Sequence, residues 1–147
     1  MTIYLGTDHR GFQLKQKILD LLVEKHFQVV DCGNTILDLK DDYPDYAFAV
    51  ADKVAADPES KGIILCGSGV GASVAANKIK GIRCAIGFSA EQVKAGRNDD
   101  DMNILTIAAN YTDEKLAEEL VTTFLNTPFA QAERYIARIN KITQHEA

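Results

Sequence analysis

The feature that most constrains the fold is an apolar segment that runs directly into alternating glycines and then into a helical stretch. The apolar segment is residues 62–65, the glycines are Gly67, Gly69 and Gly71, and the predicted helix covers residues 72–78. Glycines let backbone N–H groups approach a ligand closely, and the start of a helix carries partial positive charge. The segment therefore predicts an anion site. A tight strand-to-helix turn without a ligand is the alternative, and a lone glycine-rich loop does not decide between the two.

The glycine spacing does not match the known nucleotide-binding patterns. No Lys-Ser or Lys-Thr pair follows the last glycine, and the alternating glycines fit G-x-G-x-x-G poorly. The loop carries instead a thiol, Cys66, and a hydroxyl, Ser68. It therefore predicts a place where an oxyanion is held and a proton is moved.

Strand-like segments alternate with helical segments along the chain. The predicted strands are residues 3–6, 27–32, 62–65, 82–87 and 104–108. The last part, from Thr112 onward, is helical with a break at Thr127-Pro128. This order predicts an α/β fold, a doubly wound five-stranded parallel sheet with helices on both faces and a C-terminal helical extension. The length of 147 residues predicts a single domain over residues 1–147.

Composition and charge argue against several classes of function. The net charge of −5 argues against general nucleic-acid binding, although a local basic site for an anionic small molecule is compatible with it. An odd count of three cysteines without a C-x-x-C pair predicts reduced thiols in a cytoplasm. The first residues are already strand-like and no apolar stretch is long enough to cross a bilayer, so we expect no signal peptide and no membrane partner.

Ligands of such sheets bind at the carboxyl ends of the strands, and this rule draws attention to three segments. They are residues 6–11 after the first strand, the loop at Cys66, and residues 96–103 around the start of the fifth strand. The first two meet if the first and third strands are neighbours. Asp8 and His9 would then lie beside Cys66. Alternatively, Asp8 caps the following helix and His9 is a surface residue.

Three further sets of residues could carry chemistry. Cys66 alone among the cysteines lies in a loop shaped for a ligand, where a thiolate can act as nucleophile or general base; Cys32 and Cys84 are expected to be buried and structural. The acidic run 99–101 has no EF-hand spacing and no nearby histidine, so we expect no metal there. Arg134 and Arg138 lie one helical turn apart, either as solvated charges or as a grip on phosphate within reach of a partner subunit.

These segments resemble the sugar-phosphate isomerases typified by ribose-5-phosphate isomerase B and the galactose-6-phosphate isomerase subunits. The motifs that carry the resemblance are GTDHRG at 6–11, DYPD at 42–45, CGSGVG at 66–71, AANK at 75–78, GIR at 81–83 and NIL at 103–105. The resemblance covers nearly the whole chain. It implies a Rossmann-like domain, aldose–ketose isomerisation of a phosphosugar without a cofactor, and a homodimer with active sites between subunits, while pairing of dimers into tetramers stays open.

The resemblance also implies roles for individual residues. Cys66 would move the proton between C1 and C2, and Ser68 keeps the hydroxyl of a threonine usual in the family. The amides of residues 67–71 would hold the enediolate oxygen. The implied substrate-binding residues are Asp8, His9, Tyr43, Gly67, Gly69, Val70, Gly71, Asp100, Arg134 and Arg138.

Besides Ser68, the chain departs from the family pattern at four positions. Asp99 stands where the family has a ring-opening histidine, and Asp100 stands in place of an asparagine. Asn110 replaces an arginine on the phosphate side, and Tyr135 replaces a histidine. A carboxylate at Asp99 can also exchange a proton with the sugar ring, so we expect it to open the ring. His9 is the next candidate for that task, and capping of a turn is the structural alternative for Asp99.

The expected reaction converts ribose 5-phosphate to ribulose 5-phosphate, a step of the pentose phosphate pathway in carbohydrate metabolism. Isomerisation of a six-carbon aldose 6-phosphate of the allose or galactose type is the nearest alternative, since Asp99 and Asn110 alter the site. A non-catalytic phosphosugar-binding subunit is a further alternative, against which the thiol of Cys66 argues.

Overall fold

The computed structural model describes residues 1–146, in which strands and helices alternate as the sequence predicts. The strands are β1 (Thr2–Thr7), β2 (Gln28–Asp31), β3 (Lys61–Cys66), β4 (Cys84–Gly87) and β5 (Ile104–Ala108). The helices are α1 (Phe12–Glu24), α2 (Tyr43–Ala56), α3 (Val70–Ala76), α4 (Ala90–Asp100), α5 (Glu114–Asn126) and α6 (Glu133–His145). A short 3₁₀ turn, His9–Gly11, precedes α1.

All five strands run parallel in the order β2-β1-β3-β5-β4. The predicted five-stranded parallel sheet is therefore confirmed. The first and third strands are neighbours, which is the condition for the segments that follow them to meet. The chain passes from β1 to β2 on one side and then returns to place β3 on the other side of β1. The order of strands in the sheet therefore reverses between β1 and β3. Open α/β sheets bind their ligands in the crevice at such a switch point.

The helices cover both faces of the sheet because successive strand residues point to opposite sides. Ile63 and Leu65 face a core shared with α1, α4 and α5. Ile64 and Cys66 face a second core shared with α2 and α3. The prediction of helices on both faces is confirmed, and the alternation within β3 turns the Cys66 side chain toward the α2–α3 side.

Several element boundaries differ from the predicted ones in ways that matter for the site. Cys66 is the last residue of β3 rather than a loop residue, and α3 begins at Val70 rather than at 72. The acidic residues Asp99 and Asp100 belong to the last turn of α4, not to a loop. Asp101 ends that helix in a left-handed conformation, with φ of +47°.

The two C-terminal helices differ sharply in burial. α5 buries four apolar residues against the sheet, whereas α6 buries none. α6 is tied to the domain near both of its ends, by the Ala130 N–H on the Asn98 carbonyl (3.1 Å) and by the Glu146 carboxylate, which accepts from the Gly81 N–H (3.0 Å). The predicted C-terminal helical extension is thus confirmed. In residues 1–146 no helix has the length and apolar character needed to cross a membrane.

Candidate active site

The glycine loop leaves the sheet at the switch point with its carbonyls already bonded. The Cys66 and Gly67 carbonyls accept from the N–H groups of Ala109 and Asn110, at 2.9 and 3.0 Å. The Cys66 side chain lies at this end of β3 with 5% of its surface exposed. The residue thus has a fixed backbone and a thiol that solvent reaches only slightly.

The loop also presents backbone donors. Gly69 adopts φ of +76°, a conformation that L side chains rarely take, and this lets the chain turn sharply into α3. Within residues 1–146 no acceptor is found for the N–H groups of Ser68 and Gly69. The exposed Ser68 hydroxyl accepts weakly from the Val70 N–H at 3.3 Å. The arrangement offers N–H and hydroxyl groups to an oxyanion beside a thiol.

Tyr43, the first residue of α2, leans against the start of α3. A Cβ atom placed on Gly71 would lie 2.7 Å from the Tyr43 hydroxyl oxygen, so only a glycine allows this approach. Tyr43 remains 40% exposed. The structure thus brings Tyr43 to the glycine loop with its ring open to solvent, where a ligand can contact it.

The segment after β1 supplies Asp8 and His9 to the same edge. Asp8 is 5% exposed, and its carboxylate accepts from the Arg10 N–H at 3.0 Å, so it caps the 3₁₀ turn. His9 is not a free surface residue. Its ring Nδ1 lies 2.7 Å from Asp41 Oδ1, and its backbone N–H donates to the same oxygen at 3.1 Å.

Asp41 and Asn34 are members of this cluster that the sequence did not single out. Asn34 Nδ2 donates to Asp41 Oδ2 at 3.3 Å, and the Asn34 carbonyl accepts from the buried Lys15 ammonium at 2.9 Å. Residues 33–41 lie between the second predicted strand and the DYPD motif and carry none of the motifs that marked the other site segments. The one local signal was an acidic residue directly before the DYPD motif.

Hydrogen bonding governs the protonation of Asp41. Burial alone would raise the pKa of Asp41, but the hydrogen bonds from the His9 ring, the His9 N–H and Asn34 outweigh burial and hold that pKa below its ordinary value. The carboxylate is therefore the form that the folded protein favours near neutral pH.

This shift predicts an acid-sensitive contribution to stability. Because folding lowers the pKa of Asp41, the contribution is complete above the unfolded value of about 3.9 and is lost as pH falls through the lower folded value. Asp41→Asn should lower stability by roughly 1 kcal/mol at pH 7, the difference between a charge-assisted and a neutral hydrogen bond. Melting temperatures of parent and variant between pH 7 and 2 should converge below about pH 4. A difference in melting temperature between parent and variant that stays constant with pH would contradict the lowered pKa of Asp41.

Arg10 is a further residue that the sequence analysis left without a role. A Cβ atom on Gly67 would lie 2.5 Å from Arg10 Cδ and 3.1 Å from Asn110 Nδ2, so both side chains flank the start of the loop. Arg10 is exposed, and its guanidinium makes no ion pair within residues 1–146. It places a positive charge without an ion-pair partner in residues 1–146 beside the start of the glycine loop.

Distance alone would let Asp8, His9 and Asp41 hold a metal ion, since their potential ligand atoms lie within 4.8 Å of one another. However, His9 Nδ1 and Asp41 Oδ1 are bonded to each other, and Asp8 is bonded to the Arg10 N–H. We therefore describe the group as a hydrogen-bonded cluster. The expectation that no metal takes part stays a prediction.

The other cysteines are less suited to proton transfer. Burial raises the pKa of the Cys84 thiol to about 11, and its hydrogen-bond partner, the Thr106 hydroxyl at 3.0 Å, offsets this only in part. Burial also raises the pKa of Cys32, which is only half-buried rather than buried as expected. A thiolate at either position is therefore disfavoured at neutral pH.

The remaining predicted residues lie at the opposite edge of the sheet in the same chain. Helix α4 starts after the carboxyl end of β4 and runs back for 11 residues, about 16 Å, to Asp100. Asn103, three residues later, is paired with Arg83 before β4 begins. The expectation that residues 96–103 lie at the carboxyl edge is therefore wrong, because a helix that follows a parallel strand must return to the amino edge.

Asp99, Asp100, Arg134 and Arg138 form this second group. A hydrogen bond from Arg134 to the Tyr135 hydroxyl (3.1 Å) and the nearby charge of Asp99 raise the pKa of Arg134. Arg138 lies one turn along the same exposed helix without an ion pair in residues 1–146. Asp99 accepts from Asn98 Nδ2 at 2.8 Å within the helix, so the proposal that it caps a turn of an acidic loop is wrong.

Gly11 sets the position of the His9 segment, and its substitution gives a direct test. A Cβ atom on Gly11 would contact the Thr7 hydroxyl and lie 2.5 Å from Leu65 Cβ. Gly11→Ala should therefore destabilise the protein by about 1–3 kcal/mol in urea unfolding. Gly96→Ala is the control, since its nearest neighbour is Met102 sulfur at 3.4 Å. That variant should be neutral or about 0.5–1 kcal/mol more stable, as expected for alanine in a helix; equal losses in both variants would contradict the steric argument.

Comparison with known proteins places this geometry in a family. The family described as Ribose/Galactose Isomerase matches residues 3–142. Ribose-5-phosphate isomerase B of Mycolicibacterium paratuberculosis is 39% identical over 146 residues, which cover 99% of this chain and 92% of that protein. The corresponding enzyme of Mycobacterium tuberculosis is 37% identical, with 99% and 90% covered.

Solved structures show the same relationship. Ribose-5-phosphate isomerase B of Mycoplasma genitalium, solved with bound ribulose-5-phosphate, superposes with a TM-score of 0.95 at 38% identity, over 99% of this chain and 95% of that chain. The type B enzyme of Trypanosoma brucei gives a TM-score of 0.94 at 36% identity, with 99% and 98% covered.

Proposed function

The chain belongs to the ribose/galactose isomerase family, and we propose that it interconverts ribose 5-phosphate and ribulose 5-phosphate without a cofactor. The observation that carries the proposal is the Cys66 thiol at the end of β3, beside a loop with N–H groups that lack acceptors within residues 1–146. A base and an oxyanion site in one place are what proton transfer next to a carbonyl requires.

The reaction needs two proton transfers, one from C2 of the sugar to a base and one from the same base to C1. In the open-chain aldose, the Cys66 thiolate removes the proton from C2, and the electron pair passes into a C1–C2 double bond as O1 becomes negatively charged. The N–H groups of Ser68 and Gly69 and the Ser68 hydroxyl stabilise that oxygen. The thiol then returns the proton to C1, the proton of the O2 hydroxyl moves to O1, and O2 becomes the ketone oxygen. Nothing is oxidised or reduced overall.

We propose that a second copy of the chain completes the site. The carboxyl edge of one chain holds Cys66, Asp8 and His9, whereas Arg134 and Arg138 lie toward the opposite edge of the same chain. A two-fold dimer can bring the arginines of one subunit to the thiol of the other. Whether two such dimers pair into a tetramer stays open.

Unpartnered apolar surface supports the dimer. The apolar side chains that follow β3, β4 and β5 at the carboxyl edge are more than half exposed: Val70, Val74, Phe88 and Tyr111. An apolar cleft of about 670 Å³ also lies between β4, α4 and α6, lined in part by Ile82, Met102 and Ile142. Exposed apolar side chains and an apolar cleft are typical of protein–protein contact surfaces.

The arginines and Arg10 would bind the phosphate group. Guanidinium donors match phosphate oxygens, and Arg10 adds a positive charge beside Asn110, where the family pattern has an arginine. Asp99 lies next to Arg134 and would enter the site from the partner with it. There it would exchange protons with the sugar ring, with His9 as the alternative group for ring opening.

A panel of phosphosugars tests the proposed function. The purified protein should give a higher kcat/KM with ribose 5-phosphate than with allose 6-phosphate or galactose 6-phosphate. A preference for a six-carbon sugar would assign the alternative substrate. Tight phosphosugar binding without turnover would indicate a binding subunit. A cytoplasmic location stays a prediction from the free thiols.

A further inference from the structure

One carboxylate oxygen of Asp41 contacts both the backbone and the ring of His9. Asp41 Oδ1 accepts from the His9 backbone N–H at 3.1 Å and lies 2.7 Å from the ring Nδ1. The two residues are 32 positions apart in the chain, so the contact joins the segment after β1 to the loop before α2. This double contact fixes the backbone and the ring orientation of His9 together.

Asp41 is itself held rigidly. Its side chain is 4% exposed, and its second oxygen accepts from Asn34 Nδ2 at 3.3 Å. The Asn34 carbonyl accepts from Lys15, which is 3% exposed and paired with Asp31 at 2.7 Å. A buried cation in α1 thus anchors the loop that presents the carboxylate.

The contact also decides which ring nitrogen of His9 remains for a ligand. A carboxylate only accepts hydrogen bonds, so Nδ1 must carry the proton that is shared with Asp41. Nε2 is then the nitrogen left to contact a ligand. The charged groups close to His9 are Asp41 from the loop before α2, and Asp8 and Arg10 from its own turn.

We propose that Asp41 is a positioning residue, which holds the His9 ring through Nδ1 so that Nε2 contacts the phosphosugar. The proposal rests on the proposed function, because it assigns the ring to that substrate. Asp41 does not touch the substrate and acts only through His9. Since His9 binds the substrate alike before and during the reaction, loss of Asp41 should raise KM more than it lowers kcat.

A double-mutant cycle tests this directly. His9→Ala should raise KM for ribose 5-phosphate on the order of 2-fold to 10-fold, as expected when a neutral hydrogen bond from a sugar hydroxyl to Nε2 is lost. Asp41→Ala should raise it in the same direction, and the double variant should match His9→Ala alone. Effects on KM that multiply would overturn the proposal, because Asp41 would then act independently of His9. A fall in kcat at unchanged KM would overturn it as well.

Two matched variants separate positioning from a general loss of structure. Asp41→Asn keeps an oxygen that can accept from Nδ1 and should restore most of the parent KM. Asp38→Ala removes an exposed acid of the same loop, bonded to the Lys40 N–H, and should leave KM unchanged. Failure of Asp41→Asn to recover KM while it folds normally would contradict the positioning role.

A spectroscopic measurement decides the matter even if the protein lacks isomerase activity. In protein with ¹⁵N-labelled histidine, the neutral His9 ring should carry its proton on Nδ1, and Asp41→Ala should abolish that preference. The His9→Ala spectrum assigns the signal against His26 and His145. A proton on Nε2 in the parent protein would overturn the proposal, whereas missing turnover with the expected tautomer would count against the proposed function alone.

Discussion

Cys66→Ala should lose isomerase activity almost completely while it remains folded. Removal of a general base costs a factor of about 10²–10⁴ in rate. The substitution removes a small side chain at the end of β3, so the sheet and both cores should persist. The check is kcat with ribose 5-phosphate alongside thermal unfolding of parent and variant.

Cys84→Ala is the matched control for the thiol. Cys84 is buried in the same core, and burial raises its pKa to about 11, so it should contribute to packing and not to turnover. Parent-like activity in Cys66→Ala, or equal loss in both variants, would contradict the assignment of Cys66 as the base.

Substitution of both C-terminal arginines should raise KM for the phosphosugar strongly. Loss of charge-assisted hydrogen bonds from both Arg134 and Arg138 should increase KM on the order of 10²-fold to 10⁴-fold, since each arginine contributes about 1.5–3 kcal/mol. Binding of phosphate is uniform along the reaction, so kcat should change less. Steady-state kinetics of the double variant Arg134→Ala/Arg138→Ala measure the changes in KM and kcat separately.

Mixing of subunits then decides where the arginines act. The arginine variant and Cys66→Ala are refolded together in equal amounts and assayed at substrate far below the raised KM. If thiol and arginines come from different subunits, about a quarter of the parent activity should return, because half of all dimers are mixed and each mixed dimer carries one intact site of two. No recovery would show that each site draws both groups from one chain.

The local sequence was sufficient to predict the parts of the site that lie within one strand and its loop. The alternating glycines and the thiol at residues 66–71 predicted a loop with free N–H groups, and the structure has that geometry. The order of apolar segments likewise predicted the parallel sheet. Both depend on residues close together in the chain, where backbone geometry and hydrophobic pattern act directly.

Contacts between distant residues were not predictable in this way. The pairing of His9 with Asp41 spans 32 positions, and no periodic pattern marks it. The end of α4 also depends on distant contacts. Arg97 is 4% exposed and bonds to the Thr127 carbonyl at 3.1 Å and to Asp101 at 2.8 Å, which extends the helix through a sequence of weak helix formers.

The placement of Asp99 shows the same limit at a larger scale. Its position in the chain, just before β5, suggested the carboxyl edge of the sheet. Because β4 and β5 run parallel, however, the helix between them must return to the amino edge, where β5 begins. In the proposed dimer, a residue there reaches the thiol at the carboxyl edge of the partner subunit. The proposed role of Asp99 in ring opening therefore depends on that dimer, which the pattern of one chain does not predict.

In the proposed reaction, the chain's own groups move a proton between C2 and C1 of ribose 5-phosphate. Proton NMR in D₂O, with protein dialysed against EDTA, measures this most directly. Ribulose 5-phosphate should form, and the C2 proton signal of ribose 5-phosphate should fade over many turnovers as solvent deuterium enters through the exchangeable thiol. An unchanged spectrum, or ribulose 5-phosphate that keeps its carbon-bound protons after many turnovers, would contradict it.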